Sequence, residues 1–120
     1  MAFGSHRAGH GGGQGLVAPF RIASDVARLR VSKTAWRMDG YGAKGGGTGS
    51  AAIKVAAPAM AIAVIDRAIE VFGGAGISDD TPLAYFYAWA RSLRIVDGPD
   101  AVHRRSIARE ELKRERPFVG

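Results

Sequence analysis

The sequence predicts an all-α fold, an antiparallel bundle of about four helices. Apolar residues recur at three- and four-residue spacing over four separate stretches, as they do in amphipathic helices that pack together. Glycine, proline and capping residues separate these stretches, and none of them alternates polar and apolar residues as a strand does. With 120 residues, 47% of them hydrophobic, the chain is long enough for one modest core and too apolar for global disorder.

Glycine-rich runs suggest where the bundle begins and where it is interrupted. Twelve of the 17 glycines lie in the first 50 residues. Glycine favours flexible loops because it loses much backbone entropy on ordering. We therefore expect residues 1–15 to form a flexible N-terminal segment, residues 16–116 to form the bundle, and residues 40–49 to form a loop between two helices.

The four helices are expected near residues 19–39, 50–72, 82–96 and 99–114. Ser50 is a suitable N-cap for the second helix.

Turn residues mark the remaining helix ends. Pro58 should kink or break the second helix, because proline removes a backbone hydrogen bond. Gly73 and Gly74 should end that helix. Thr81 and Pro82 should cap and begin the third.

Apolar stripes indicate which helix faces should be inward. The second helix is apolar on most sides, so it should be central. Trp36 and Trp89 are expected in the core or at an interface. The inward stripes are Ile22, Val26, Leu29 and Trp36; Ile53, Ala57, Met60, Val64 and Val71, with Ile62, Ile65, Ile69 and Phe72; Leu83, Phe86, Tyr87, Ala90 and Leu93; and Val102, Ile107 and Leu112.

Composition excludes some classes of protein and leaves others open. The chain has no cysteine, which excludes disulfides and thiolate metal sites, and we expect no metal site. The net charge of +6 divides into +5, −2 and +3 over residues 1–50, 51–90 and 91–120. Such a balance indicates either an anionic partner, a nucleic acid or a phosphate-rich cofactor, or a solvated surface.

The C-terminal cations are interspersed with Glu110, Glu111 and Glu115, which favours a solvated, ion-paired face over nucleic-acid binding. No apolar run approaches a membrane span, and no signal peptide is evident. We therefore expect a soluble, cytoplasmic protein that binds neither membrane nor nucleic acid.

The region between Glu70 and Arg109 offers the best place for chemistry. Asp97 lies at a helix-to-helix turn beside a helix N-terminus, where anions are attracted. Gly73 and Gly74 offer a bare backbone that a ligand can approach. Structural roles explain the same residues, with the glycines as a helix stop and Asp97 as an N-cap. Asp100, in the first turn of the next helix, is explained by capping.

Five short motifs in this chain match those of a known protein family in their order and in their spacing. They are Ile53-Lys54-Val55-Ala56-Ala57-Pro58, Val64-Ile65-Asp66-Arg67-Ala68-Ile69, Gly73-Gly74-Ala75-Gly76, Pro82-Leu83-Ala84 and Asp97-Gly98-Pro99-Asp100. Through them, residues 50–116 resemble the last part of acyl-CoA dehydrogenases, in the branch with Asp-Gly-Pro where most members have Glu-Gly-Thr. Residues 16–49 agree more loosely, and Ala2-Phe3-Gly4 resembles the opening of the same domain.

This resemblance implies an enzyme that carries FAD and oxidises the Cα–Cβ bond of an acyl-CoA thioester. It implies that Asp97 is the catalytic base that removes the α-proton. Asp97 is one methylene shorter than the usual glutamate. The substrate would pass close to Gly98, and Arg109 matches a position near the CoA end of the substrate.

The resemblance also implies cofactor positions. Gly73 and Gly74 correspond to a segment that meets the FAD of a neighbouring subunit. Glu70 stands where glutamine is usual, and its charge is unfavourable beside a pyrophosphate. Pro99 and Ala101 occupy positions of polar FAD contacts, which their side chains cannot make.

The family completes its active site with an N-terminal helical domain and a middle β domain. The resemblance begins almost at Met1, so we interpret the chain as a split gene, a remnant or the product of a misplaced start codon. Its expected partners are acyl-CoA and either further copies of itself or a chain carrying those two domains. The alternative function is a non-catalytic helical oligomerisation module, and a basic nucleic-acid binder is a third.

Overall fold

All regular secondary structure in the described part of the chain is helical. The computed structural model describes the backbone of residues 11–115 and the side chains of residues 17–115. Over that range the elements are α1 (Gly11–Tyr41), α2 (Ala43–Phe72), α3 (Gly74–Ile77), α4 (Leu83–Ser92) and α5 (Asp100–Arg114), without a strand. The all-α prediction is confirmed. The helix beyond the predicted four is α3, a single turn between the second and third predicted helices.

Helix α2 is the centre of the bundle. The other four helices all pack against it, and α3 also contacts α4. This arrangement follows from the sequence, because a helix that is apolar on most sides can serve several neighbours at once. The predicted central place of the second helix is therefore confirmed.

The same composition corrects one expectation from the sequence. Within residues 11–115, α2 is the one helix long and apolar enough to cross a membrane, judged by length and composition alone. The expectation that no apolar run approaches a membrane span was wrong, because small residues around Lys54 extend the apolar stretch. The central helix of a bundle meets the same test, because it must be apolar toward every neighbour.

Glycines bring α1 and α2 together as a tight antiparallel hairpin. One residue, Gly42, joins the two helices, and its φ is 72°. A Cβ added to Gly45 would lie 2.5 Å from the carbonyl oxygen of Arg37, and one added to Gly49 would lie 2.7 Å from Oγ1 of Thr34. The predicted loop over residues 40–49 was wrong, because these glycines let two helix backbones approach closely instead of forming a long loop.

Three predicted features of the first two helices also change. The first helix begins at Gly11, so residues 11–15 are helical, and residues 1–10 lie outside the described range. Ser50 lies inside α2 and does not cap it. Of the kink or break expected at Pro58, the break was wrong, because α2 continues through Pro58 and its interruption falls at Gly47, where φ is 41° and ψ is −131°. Glycine tolerates this left-handed φ, which other residues avoid.

The end of α2 and the start of α4 meet at α3. The predicted stop is confirmed, since Gly73 has a φ of 63° and its N–H donates to the carbonyl of Ile69 at 2.8 Å. Thr81 does not cap α4, because its hydroxyl donates to the Ala75 carbonyl at 3.2 Å and Pro82 takes the N-cap position. Thr81 thus holds the turn of α3 near α4.

Few side chains of the described residues are withdrawn from solvent. Ala90 is the one buried hydrophobic side chain among them, apart from Pro58. The chain exposes 8829 Å², whereas a compact protein of 12.6 kDa exposes about 6,200 Å². The predicted inward stripe of α1 was wrong in this chain, as were six further inward assignments on the other helices. The exposed residues concerned are Ile22, Val26, Leu29 and Trp36 on α1, and Val71, Phe72, Phe86, Leu93, Val102 and Leu112 elsewhere.

We expect the chain produced alone to form homo-oligomers or aggregates, because large exposed apolar patches mark interfaces. The exposed stripe of α1 is such a patch, and Leu29 at its centre is 70% exposed. Leu29→Glu should therefore reduce association in light scattering, whereas Arg28→Glu beside it should not. A stable monomer of the unmodified chain at tens of micromolar would contradict this expectation.

Candidate functional site

Asp97 lies on a turn that the backbone holds in an unusual conformation. Helix α4 ends at Ser92, four residues before the predicted end, and residues 93–97 continue as turns. Asp97 has a φ of 52° and is followed by Gly98 with a φ of 95°. Non-glycine residues rarely adopt positive φ, so neighbouring contacts must stabilise it. Asp97 is not an N-cap, because Pro99 takes that position in α5.

Lys54 attaches this turn to the central helix. The Lys54 ammonium, on α2, donates hydrogen bonds to the carbonyl oxygens of Leu93 and Val96, the latter at 2.8 Å. Carbonyls at the end of a helix lack intrahelical donors, and a cation is favourable there. The bonds of Lys54 therefore stabilise the segment that leads into Asp97.

An ion pair closes the turn from the other side. Arg94 donates from Nε to the Asp100 carboxylate at 2.7 Å, and the Asp100 N–H donates to the Arg94 carbonyl at 3.2 Å. This hydrogen bond from Arg94 lowers the pKa of the Asp100 carboxyl group. The capping role expected for Asp100 was wrong, because its side chain pairs across the turn and makes no capping hydrogen bond.

His103 packs against the glycine of the same turn. Its Nε2 lies 3.2 Å from the Asp97 carbonyl oxygen, and a Cβ added to Gly98 would come within 2.9 Å of that nitrogen. Gly98 is therefore required both for its positive φ and for the space that the imidazole occupies. The sequence analysis did not single out His103, and no spacing rule pointed to this contact.

The Asp97 carboxylate itself is available for chemistry. The residue is exposed, and within residues 11–115 no hydrogen bond or ion pair engages its side chain. The backbone is thus fixed by Lys54, Arg94 and His103, while the carboxylate remains uncommitted. A general base requires this combination of a positioned backbone and a free acceptor.

The predicted site residues fall at three places. The turn before α5 and the first residues of that helix contain Asp97, Gly98, Pro99 and Ala101. Arg109 is exposed and lies nine residues beyond Asp100 along α5, in which each residue adds about 1.5 Å of length. Glu70, Gly73 and Gly74 lie together at the end of α2. Gly73 lies 19 residues beyond Lys54, a distance of about 28 Å along the helix axis.

Arg67 changes the charge expected at the end of α2. It donates to the Glu70 carboxylate at 2.8 Å, and this hydrogen bond raises the pKa of Arg67. The pairing offsets the negative charge of Glu70. Sequence reasoning missed Arg67, although its three-residue spacing from Glu70 is the signal that could have identified it.

The residues present fit a flavin at one of the two predicted contact regions. At Gly73 and Gly74, an added Cβ would meet nothing within 4 Å, so a ligand can approach the backbone there. At the start of α5, the side chains of Pro99 and Ala101 offer no polar atom. The Asp100 and Val102 N–H groups there are already donated to the carbonyls of Arg94 and Pro99.

The contribution of Lys54 can be measured directly. Lys54→Met should increase hydrogen exchange of the amides between Leu93 and Gly98 by about tenfold, because hydrogen bonds from a charged donor are worth more than one kcal/mol. Lys54→Arg should restore part of the protection, and Lys44→Met on the same helix should leave it unchanged. Equal exchange in the Lys54→Met and Lys44→Met variants would show that Lys54 does not hold the turn.

Comparison with known proteins agrees with this fold. The family model for the acyl-CoA dehydrogenase C-terminal domain matches residues 1–112. The solved structure of a Mycobacterium abscessus protein assigned to the acyl-CoA dehydrogenases superposes with a TM-score of 0.88 at 46% identity. That match covers 96% of this chain and 28% of the other.

Curated relatives carry the same family name. The probable acyl-CoA dehydrogenase FadE2 of Mycobacterium tuberculosis is 53% identical over 97% of this chain and 28% of its own length. Acyl-CoA dehydrogenase family member 10 of Mus musculus is 50% identical over 82% of this chain and 9% of its own length. The chain therefore belongs to the acyl-CoA dehydrogenase family, and it matches only the C-terminal part of these longer relatives.

Proposed function

We propose that this chain is the C-terminal helical part of an FAD-dependent acyl-CoA dehydrogenase and that it contributes the catalytic base, Asp97. The observation that carries the proposal is the turn at Asp97. Its backbone is held at positive φ by contacts from two other helices, while its carboxylate makes no hydrogen bond. Family membership supplies the reaction class, and the turn supplies the residue.

The reaction removes one hydrogen from each of two adjacent carbons. The Asp97 carboxylate takes the α-proton of the thioester, and the α-proton is the one that the neighbouring carbonyl acidifies. A bound FAD would supply the acceptor for the β-hydrogen, which would leave as hydride, so that a Cα–Cβ double bond would form. Gly98 lets the acyl chain approach the backbone beside the base, and Arg109 lies further along α5 toward the CoA end.

Because aspartate is one methylene shorter than glutamate, the substrate must lie closer to the backbone of the turn. That backbone is fixed in place by the ion pair of Arg94 and Asp100 and by the hydrogen bonds of Lys54. These three residues are positioning residues, because they act on the substrate through Asp97.

The second part of the proposal concerns the flavin. Gly73 and Gly74 allow a neighbouring subunit's FAD to approach the end of α2, and Arg67 offsets the charge of Glu70 there. Pro99 and Ala101, at positions where the family makes polar FAD contacts, would supply no polar side-chain contact to a flavin. Acyl-CoA, further copies of this chain and the domains that the longer relatives carry are the partners that this proposal requires.

Flavin content tests this function. The complemented assembly is this chain combined with the part of the Mycobacterium tuberculosis relative that it does not match. We expect the purified chain alone to hold no flavin and to show no acyl-CoA dehydrogenation, because the domains that would hold the flavin opposite the base are not part of it. The complemented assembly should retain flavin and turn over acyl-CoA, and a complex that forms without flavin would contradict the proposal.

A non-catalytic oligomerisation module is the second candidate. The observation in its favour is the exposed apolar stripe of α1, in which Trp36 is 68% exposed. That function requires association but neither flavin nor Asp97. A chain that forms defined oligomers, and whose complemented assembly remains colourless, would favour this candidate over the enzyme.

A further inference from the structure

A basic groove runs between α1, α2 and the end of α5, away from the Asp97 turn. It consists of two adjoining cavities of about 430 and 410 Å³, which share Arg37, Gly46, Thr48 and Arg114 in their walls. Val26 and Leu29, from the exposed stripe of α1, form the apolar edge of the first cavity. Volumes of this size are typical of sites for small ligands. The five cations that line it are Arg30, Lys33, Arg37, Lys44 and Arg114.

The positive charge of this groove is poorly compensated. Arg30, Lys33 and Arg37 lie on one face of α1 at three- and four-residue spacing, which places them in a row. Among residues 17–115, no carboxylate pairs with any of these three or with Lys44. Cations held together without counterions repel one another, so an anion bound between them gains from all of them.

The carboxylate in the groove wall is already engaged. Glu110 lines the second cavity and accepts a hydrogen bond from Lys113 at 2.7 Å, and this bond lowers the pKa of the Glu110 carboxyl group. Arg114 pairs with Glu111 at 3.0 Å, so it is the one groove cation with a partner. The charge available to a ligand therefore comes mainly from the α1 row and Lys44.

Glycine backbone forms part of the groove wall. Gly46 and Gly47 line it; a Cβ added to Gly47 would meet nothing within 4 Å, whereas one added to Gly46 would lie 2.7 Å from Oγ of Ser50. Gly47 also interrupts the helical backbone of α2. Thr48 adds a hydroxyl beside this open backbone. A bare main chain between cations suits a phosphate, which accepts hydrogen bonds from several directions.

The groove is separate from the Asp97 turn and from the turn at Gly73, whereas Arg109 lies closer to it, beside the groove residue Glu110 on α5. Arg114 lies at the far end of α5 from Asp100, about 21 Å along the helix. Gly47 lies 26 residues before Gly73, at the opposite end of α2, about 39 Å along it. A ligand here would contact neither Asp97 nor the turn at Gly73.

We propose that this groove binds a small diphosphate-bearing anion, either free pyrophosphate or the diphosphate of a nucleotide. Arg37 of the α1 row and Lys44 line the same cavity, so two linked phosphates offer acceptor oxygens to both cations, more than a single carboxylate provides. The charged side chains supply charge-assisted hydrogen bonds, which are the stronger kind.

Binding of inorganic pyrophosphate and of ADP to the full chain, measured by calorimetry, tests the proposal. Arg37→Gln with Lys44→Gln should weaken binding of both by at least about tenfold, because two charge-assisted contacts are lost. Arg28→Gln with Arg91→Gln removes the same charge from positions outside the groove and should change binding less than about twofold. Circular dichroism verifies that both double variants keep the helical fold.

The two probes separate the sources of the diphosphate. Equal affinity for pyrophosphate and ADP identifies the diphosphate itself as the ligand, and tighter binding of ADP identifies a nucleotide. Three outcomes overturn the proposal: no binding of either probe by the unmodified chain, equal loss in both double variants, or tighter binding of duplex DNA or anionic vesicles than of both probes.

Discussion

Asp97→Asn should lower the turnover of the complemented assembly by about 10²–10⁴-fold, the usual contribution of a general base. The amide keeps the size and polarity of the side chain but cannot accept the α-proton. Flavin content should remain unchanged, because Asp97 lies on a turn whose backbone contacts come from Lys54 and His103 and do not involve the carboxylate. Steady-state turnover and the flavin spectrum of the same samples check both parts.

Asp100→Asn is the control for this assignment. Asp100 is committed to Arg94, so its loss should loosen the turn and lower turnover less than the loss of Asp97 does. Asp97→Glu, which restores the residue usual in the family, should retain activity. If Asp97→Asn kept full turnover, or if Asp100→Asn alone abolished it, Asp97 would not be the base.

Gly76→Ala should destabilise the fold by about 2–3 kcal/mol. A Cβ at Gly76 would lie 2.8 Å from both the Cα and the carbonyl oxygen of Ile69, so backbone has to move. Overpacking of this kind costs about 1–3 kcal/mol, and backbone atoms cannot relieve it by changing rotamer. Gly74→Ala is the matched control, since its Cβ would meet nothing within 4 Å.

Urea unfolding followed by circular dichroism measures this difference. The midpoint should fall for Gly76→Ala and stay close to that of the unmodified chain for Gly74→Ala. Equal midpoints would mean that α3 can move away from α2 without cost, and that the contact at Gly76 does not stabilise the fold.

Local signals in the sequence were sufficient for the helices and for the stop at Gly73. Helical spacing and a glycine after the last apolar residue depend only on neighbouring residues, so they can be read without a structure. The same reasoning failed at residues 40–49. There the glycines serve contact between two helices, and a propensity for loops cannot be told from a need for close packing by composition alone.

Contacts between distant residues set the remainder of the candidate site. Lys54 lies 39 and 42 residues before the carbonyls that it holds, and no spacing rule connects such positions. The stripe around Leu29 was correctly read as apolar, but its exposure depends on neighbours that the described residues do not supply. Sequence periodicity indicates that an apolar helix face will be covered, but it does not identify the element or subunit that covers it.

Flavin reduction in the complemented assembly under anaerobic conditions tests the central claim most directly. Mixing with acyl-CoA should bleach the flavin absorption when this chain is present, because Asp97 then removes the α-proton as hydride leaves. The same relative's domains without this chain should not bleach. Bleaching at an equal rate without this chain, or with Asp97→Asn in place, would contradict the assignment of this chain as the source of the catalytic base.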